Sequence, residues 1–198
     1  MNARRIIGLA GASIWLASVG AIFPIVGLIF VGTSLAWTVV ALTVAAVVAL
    51  VLIDSAVIRD VRRVVVPLPQ RTDGDRLMVR RFNWVLAGEI AAFCVVNTVL
   101  SIVRRYELMV PADVMIVGIH FLPLAWVFRV PRYYPLGIAF CAAVGVTMAL
   151  VPSGEHFGAV SAWYVWISVG SGLAAILCAA ANTREAQLAV RQLRPSFR

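Results

Sequence analysis

Glu89, Asn97, His120 and Arg129 interrupt, or close, runs of sequence that are otherwise almost wholly apolar. An ionisable group in hydrocarbon costs about 3 kcal/mol or more unless it is paired or wetted, so such residues face one another or a watery path. The chemistry open to these four is that of a proton or cation relay. An imidazole, with an ordinary pKa of about 6.5, changes charge around neutral pH when a carboxyl lies within reach.

The facing pairs follow from the hairpin between the helices that carry them. With a turn centred near 106 to 109, His120 comes level with 92 to 98 and Glu89 with 123 to 129. The expected contacts are therefore His120 with Asn97, and Glu89 with a snorkelling Arg129. Residues nine apart lie on opposite faces of an ideal helix, so His120 and Arg129 share a partner helix only if Pro123 bends theirs. The plainer alternative is two interhelical polar contacts that serve packing alone. Asp54, beside Arg59 near the end of a run, is expected at the membrane interface.

Other chemistries lack their residues. There is no Gly-rich phosphate loop, no Ser/His/Asp constellation and no HExxH motif. Pro152-Ser153-Gly154-Glu155-His156 is similar to the PSGH element of phosphatidic acid phosphatase-type lipid phosphatases, but Glu155 displaces the histidine and the family's other motifs are missing. The stretch reads as an exposed turn. A b-type haem needs two histidines at facing depths, whereas His156 falls in a loop. Cys94, Cys141 and Cys178 lie in apolar runs without CxxC spacing and read as small apolar residues rather than a disulfide framework or zinc site. No catalytic residue, metal or cofactor is expected.

The elements that position these residues follow from composition. Of 198 residues 62% are apolar and 13% charged, with mean hydropathy +0.96, against about 25% charged in an ordinary soluble chain. A single water-soluble core would leave too little polar surface to cover it. Breaks at charges, Pro and Gly place spans at about 6–30, 35–57, 82–103, 113–130, 136–151 and 160–181, each near the ~20 residues that cross a bilayer. The class is an all-α membrane protein of six transmembrane helices, since barrel strands would need alternating segments. Met1 to Arg5 followed by Ile6 to Ala17 imitates a signal peptide, yet the apolar run continues past Ala21, so a span is expected. The first two spans need a tight hairpin at Val31-Gly32-Thr33-Ser34.

All 17 basic residues are Arg, and with 9 acidic residues the net charge is +8. With the N-terminus inside, fifteen Arg fall on the cytoplasmic side and only Arg104 and Arg105 opposite, which is the positive-inside pattern. Both termini are therefore expected in the cytoplasm, in the bacterial cytoplasmic membrane. Arg59, Arg62, Arg63, Arg80 and Arg81, around the loop at Pro67-Leu68-Pro69-Gln70, are candidate contacts to anionic lipid head groups, besides marking topology. In the tail, 182–198, Arg184, Arg191, Arg194 and Arg198 gather opposite Ala186, Val190, Leu193 and Phe197, the pattern of a basic amphipathic helix on the inner surface.

Small residues recur every fourth position at Gly137, Cys141, Gly145 and Ala149, and again at Ser171, Ala175 and Ala179. Such stripes let helix backbones approach closely. Packing within one bundle is the first reading, a homo-oligomer face the second. The stretch 118–125, with 131–137 after it, resembles a segment of small uncharacterised bacterial multi-pass membrane protein families, and that resemblance implies no activity and transfers no functional residue. The expected partners are the lipid bilayer and a second copy, not nucleic acid. A small transporter or channel-like protein with a polar site at Glu89, Asn97 and His120 is the first functional expectation. A non-catalytic structural or partner-binding module is the second, and a membrane enzyme acting on lipid the third. Topology reporters fused after Gly74 and at the C-terminus are expected to read cytoplasm and one after Gly154 the opposite side, and a C-terminus reading outside would overturn the six-span count.

Overall fold

A computed structural model describes residues 3–28, 31–64, 73–158 and 160–193. Six helices carry the chain: α1 (Ala3–Leu28), α2 (Ser34–Val64), α3 (Asp73–Ile102), α4 (Met109–Phe128), α5 (Tyr133–Leu150) and α6 (Ala162–Leu193). All six are long and apolar enough to cross a membrane, which is the make-up of a multi-pass membrane protein. A 3₁₀ turn, Tyr106–Leu108, leads into α4, and β1 (His156–Phe157) pairs antiparallel with β2 (Val160–Ser161) ahead of α6. The exposed turn expected at 152–156 is present, closed by the Glu155 N–H donating to the Pro152 carbonyl at 3.1 Å, and His156 passes from it into the small hairpin.

The helices overrun the expected spans at their Arg-bearing ends. α2 continues to Val64 rather than 57, α3 begins at Asp73 rather than 82, and α6 runs unbroken to Leu193 rather than stopping at 181. Nothing in these stretches breaks a helix. Asp73 and Asp75 in the first turn of α3, and Arg62 and Arg63 in the last turn of α2, complement the helix dipole at those ends. The expected tail is thus a continuation of α6, with Ala186 and Val190 buried and Arg184 and Arg191 exposed. Arg71, Arg194, Phe197, Arg198 and the Pro67-Leu68-Pro69-Gln70 loop lie outside the described residues, as do positions 29 and 30. Between α1 and α2 the break falls at Gly32, whose φ of 71° is a left-handed value suited to glycine. Thr33 Oγ1 then accepts the Ala36 N–H at 3.2 Å and caps α2.

The helices pack in the order α2, α1, α6, α5, α4, α3, with α6 also touching α2 and α4. Two close crossings hold this order. At the first, a Cβ on Gly172 would lie 2.6 Å from the Gly20 carbonyl oxygen and 2.5 Å from the Pro24 ring. At the second, a Cβ on Gly137 would lie 2.5 Å from the Gly118 carbonyl oxygen. Ser171, Ala175 and Ala179 are all buried, and Ala175 and Ala179 meet α1 at Gly20 and Ser13. The α5 stripe divides: Gly137 and Cys141 meet α4, whereas Gly145 and Ala149 face outward.

Large apolar side chains such as Leu42, Leu52, Ile90 and Val95 are exposed on the bundle's outside, where a soluble protein would carry charge. α3 is the outermost helix; it contributes no buried residue and rests mainly on α4. Gly137→Ala should lower stability in detergent by about 1–3 kcal/mol through overpacking, while Gly145→Ala, with nothing within 4 Å of the new Cβ, should leave it unchanged or slightly higher. Equal melting shifts for the two variants would contradict the α4–α5 crossing.

Candidate functional site

α3 and α4 run antiparallel, and the chain turns between them at Arg104, which has a φ of 55°. The turn is earlier than the one expected near 106 to 109, because the 3₁₀ turn at Tyr106–Leu108 already belongs to the α4 side. This shift decides the partners. Glu89 meets His120, with Oε2 and Nδ1 3.4 Å apart, and Asn97 donates from Nδ2 to Asp113 Oδ1 at 2.7 Å. The expected pairs, His120 with Asn97 and Glu89 with Arg129, are therefore corrected.

Arg129 stands away from the site. It ends α4 in a left-handed conformation, φ 54°, and its backbone N–H bonds the Ala125 and Trp126 carbonyls. It forms no ion pair with Glu89 among the described residues, as its spacing of nine residues from His120 on an ideal helix leads one to expect. Asp113, which sequence reading passed over as a span end, carries a signal that could have found it. Seven residues before His120, it lies two turns away on the same face.

The two pairs on this seam differ. Asn97–Asp113 is closed, since Asn97 Nδ2 also donates to the Phe93 carbonyl at 3.1 Å. Glu89–His120 is open. The two side chains are only 14% and 5% exposed, yet His120 Nδ1 has no hydrogen-bond partner among the described residues. The 3.4 Å separation is an ion-pair distance without hydrogen-bond geometry.

Two spaces adjoin this open pair. One, of about 290 Å³, lies between α1, α3 and α4 and reaches the start of α5; its wall includes Ala12, Trp15, Leu16, Phe82, Leu86, Phe121, Phe128 and Tyr133 together with Glu89 and His120. The other, of about 270 Å³, is an open groove on the bundle's outside, along Trp84, Gly88, Ile116, Ile119 and Pro123, with Trp84 and Ile119 exposed. Rings stack edge to face around the first cavity: Phe121 lies 5.9 Å from Tyr133, and Phe128 6.5 Å from Tyr133 between centroids. Phe82 is 5.6 Å from Phe128. Trp15, placed mid-span by the sequence, thus serves as cavity wall.

A second polar cluster joins α1, α2 and α6. Asp54 is fully buried among the helices, five residues before the exposed Arg59. Thr183 Oγ1 donates to Asp54 Oδ2 at 2.9 Å, Ser13 Oγ lies 2.7 Å from Thr183 Oγ1, and Ser13 Oγ donates to the Ala179 carbonyl at 2.9 Å. The sequence hid this cluster because Ser and Thr are ordinary in membrane helices and only α6's uninterrupted length brings Thr183 into the bundle.

Arg59, Arg62, Arg63, Arg80 and Arg81 are exposed, and the Arg81 guanidinium sits 4.5 Å over the Trp126 ring, tying α3 to α4. Arg132 forms an ion pair with Glu185, joining the start of α5 to α6. Among the described residues no three His, Cys, Asp or Glu side chains converge as a metal site. No family model, curated protein or solved structure matches the chain.

The closed pair is a packing contact. Asn97→Ala and Asp113→Ala should each destabilise the protein in detergent, and a double-mutant cycle should return a coupling of about 0.5–1.5 kcal/mol. Additive losses would show that the two side chains do not depend on each other.

Proposed function

We propose that this protein is a small membrane transporter whose working site is the Glu89–His120 pair between α3 and α4, with both termini in the cytoplasm of a bacterial cell. The observation that carries the reading is the contrast along a single seam. Asn97 and Asp113 close on each other as a packing contact does, whereas Glu89 and His120 stand just out of hydrogen-bond geometry beside a cavity and an open groove. A structural polar pair gains from a direct, saturated bond, because lipid offers no alternative partner. A pair that must release and rebind a proton or solute needs open neighbouring space.

The position of α3 supports the same reading. Lacking any buried residue and resting chiefly on α4, it is the helix that moves at least cost. Its motion would change how far the pair opens to each of the two spaces it adjoins, as small rocking motions do around a fixed midplane site. Asn97, named with the pair on sequence grounds, acts as the latch that holds α3 at the other end of the seam. The orientation rests on the Arg distribution, fifteen on one side against Arg104 and Arg105 on the other.

Flux through proteoliposomes tests the reading. The parent protein should carry a proton or solute flux read by an entrapped pH dye or by tracer uptake. Glu89→Gln and His120→Ala should each reduce it about tenfold or more, the loss of one charge-assisted interaction, while melting temperatures stay near the parent's. Asn97→Ala should keep flux and lose stability. A parent without flux, and with both site variants failing to fold, would return the pair to a packing role.

A further inference from the structure

We propose that the cavity between α1, α3 and α4 binds an organic cation carrying an aromatic or bulky apolar group, and that this cation and a proton are alternative occupants of the Glu89–His120 pair. The inference rests on the transporter reading for its consequence, exchange of one for the other, but the binding itself stands on the site.

Four features of the wall point to that class of ligand. About 290 Å³ accommodates a small organic molecule. Trp15, Phe82, Phe121, Phe128 and Tyr133 present aromatic surface, and the contacts among the last four hold those rings in place before anything binds. Ring faces attract cations as well as apolar groups. Among the described residues of the wall, Glu89 carries the only carboxyl and no Arg is present, so the site selects for positive charge. The last feature is His120, buried with Nδ1 lacking a hydrogen-bond partner among the described residues, which leaves the carboxyl without a locked counter-ion.

The titratable groups facing this cavity are Glu89 from α3, His120 from α4 and Tyr133 from the start of α5, while α1 presents Ala12, Trp15 and Leu16. Charge balance in a low-dielectric site then couples the occupants. When the cation enters beside the Glu89 carboxylate, the proton held by the pair leaves to water, and when the cation leaves, a proton returns. No bond other than that to the proton is made or broken.

The test uses the full-length protein in detergent and three probes: benzyltrimethylammonium, its neutral isostere neopentylbenzene, and benzenesulfonate. Calorimetric titration should show saturable binding of the ammonium about tenfold or more tighter than either of the others, the size expected of a charge-assisted contact. In weak buffer with a pH dye, binding should release about one proton, the stoichiometry of a shared acidic site. Glu89→Gln should weaken ammonium binding about tenfold and abolish proton release. Trp15→Ala, which touches no charge, should weaken binding and preserve the release, so the decision stands even if Glu89→Gln does not fold. Equal affinity for the neutral isostere, or an unchanged Glu89→Gln, overturns the proposal and leaves an apolar cavity that lipid chains fill. Flux in proteoliposomes without ammonium binding would refute this inference alone. Ammonium binding without flux would keep the site and remove the transporter reading.

Discussion

Lipid tails are as apolar as leucine, so helices in a bilayer gain little from burying apolar side chains against each other, and close backbone contact has to hold them together instead. The crossing of α1 and α6 meets that constraint and places everything else. Gly20 and Gly172 let the backbones meet, Pro24 fills the angle beside them, and Ala175 covers the contact. α2 then leans on the α1–α6 pair, and α5 lies along α6 on the other side. The glycine crossing of α5 with α4 repeats the device one layer out. Beyond α4 there is no third glycine crossing, and α3 is held by point contacts.

Those point contacts fall toward the two ends of α3. Toward the Arg-rich end, Arg81 stacks on Trp126 and Phe82 meets Phe128. Toward the hairpin, Asn97 bonds Asp113. Between them stands Glu89 with His120, a contact that is not closed among the described residues. An unsatisfied nitrogen at that place is costly in lipid, and natural membrane helices retain such costs where a site needs them. The cavity and the groove beside the pair are a direct outcome of the same arrangement: α3 touches α4 along one line and leaves space beside it.

The polar cluster of Ser13, Asp54 and Thr183 belongs to a different part of the bundle. It ties α1, α2 and α6 together near their Arg-bearing ends, far from the α3 seam in the packing order. Asp54 brings a carboxyl into the interior, and two hydroxyls surround it where a packing-only interface would carry alanine or glycine. With the Arg132–Glu185 pair nearby on α6, this end of the protein is fastened by polar contacts as well as by glycine packing, which contrasts with the loosely held α3.

Some of this was legible in the residue order and some was not. Hydropathy depends only on local composition, so six spans, their approximate places, the hairpin at Gly32 and the unusual standing of Glu89, Asn97 and His120 were all readable along the chain. Ser171, Ala175 and Ala179 were likewise readable as a packing face, since a four-residue period is local. Partner choice was not readable. A shift of a few residues in the turn at Arg104 exchanges one pairing for another, so His120 received Glu89 rather than Asn97, and Asn97 received Asp113. Helix length past an apolar run is equally invisible to hydropathy, which is why the unbroken run of α6 through Thr183 and its bond to Asp54 could not be read along the chain. Tertiary structure alone decided these, because helix register and the neighbours across a bundle are set by where backbones can approach, and that is a property of two helices at once rather than of either sequence.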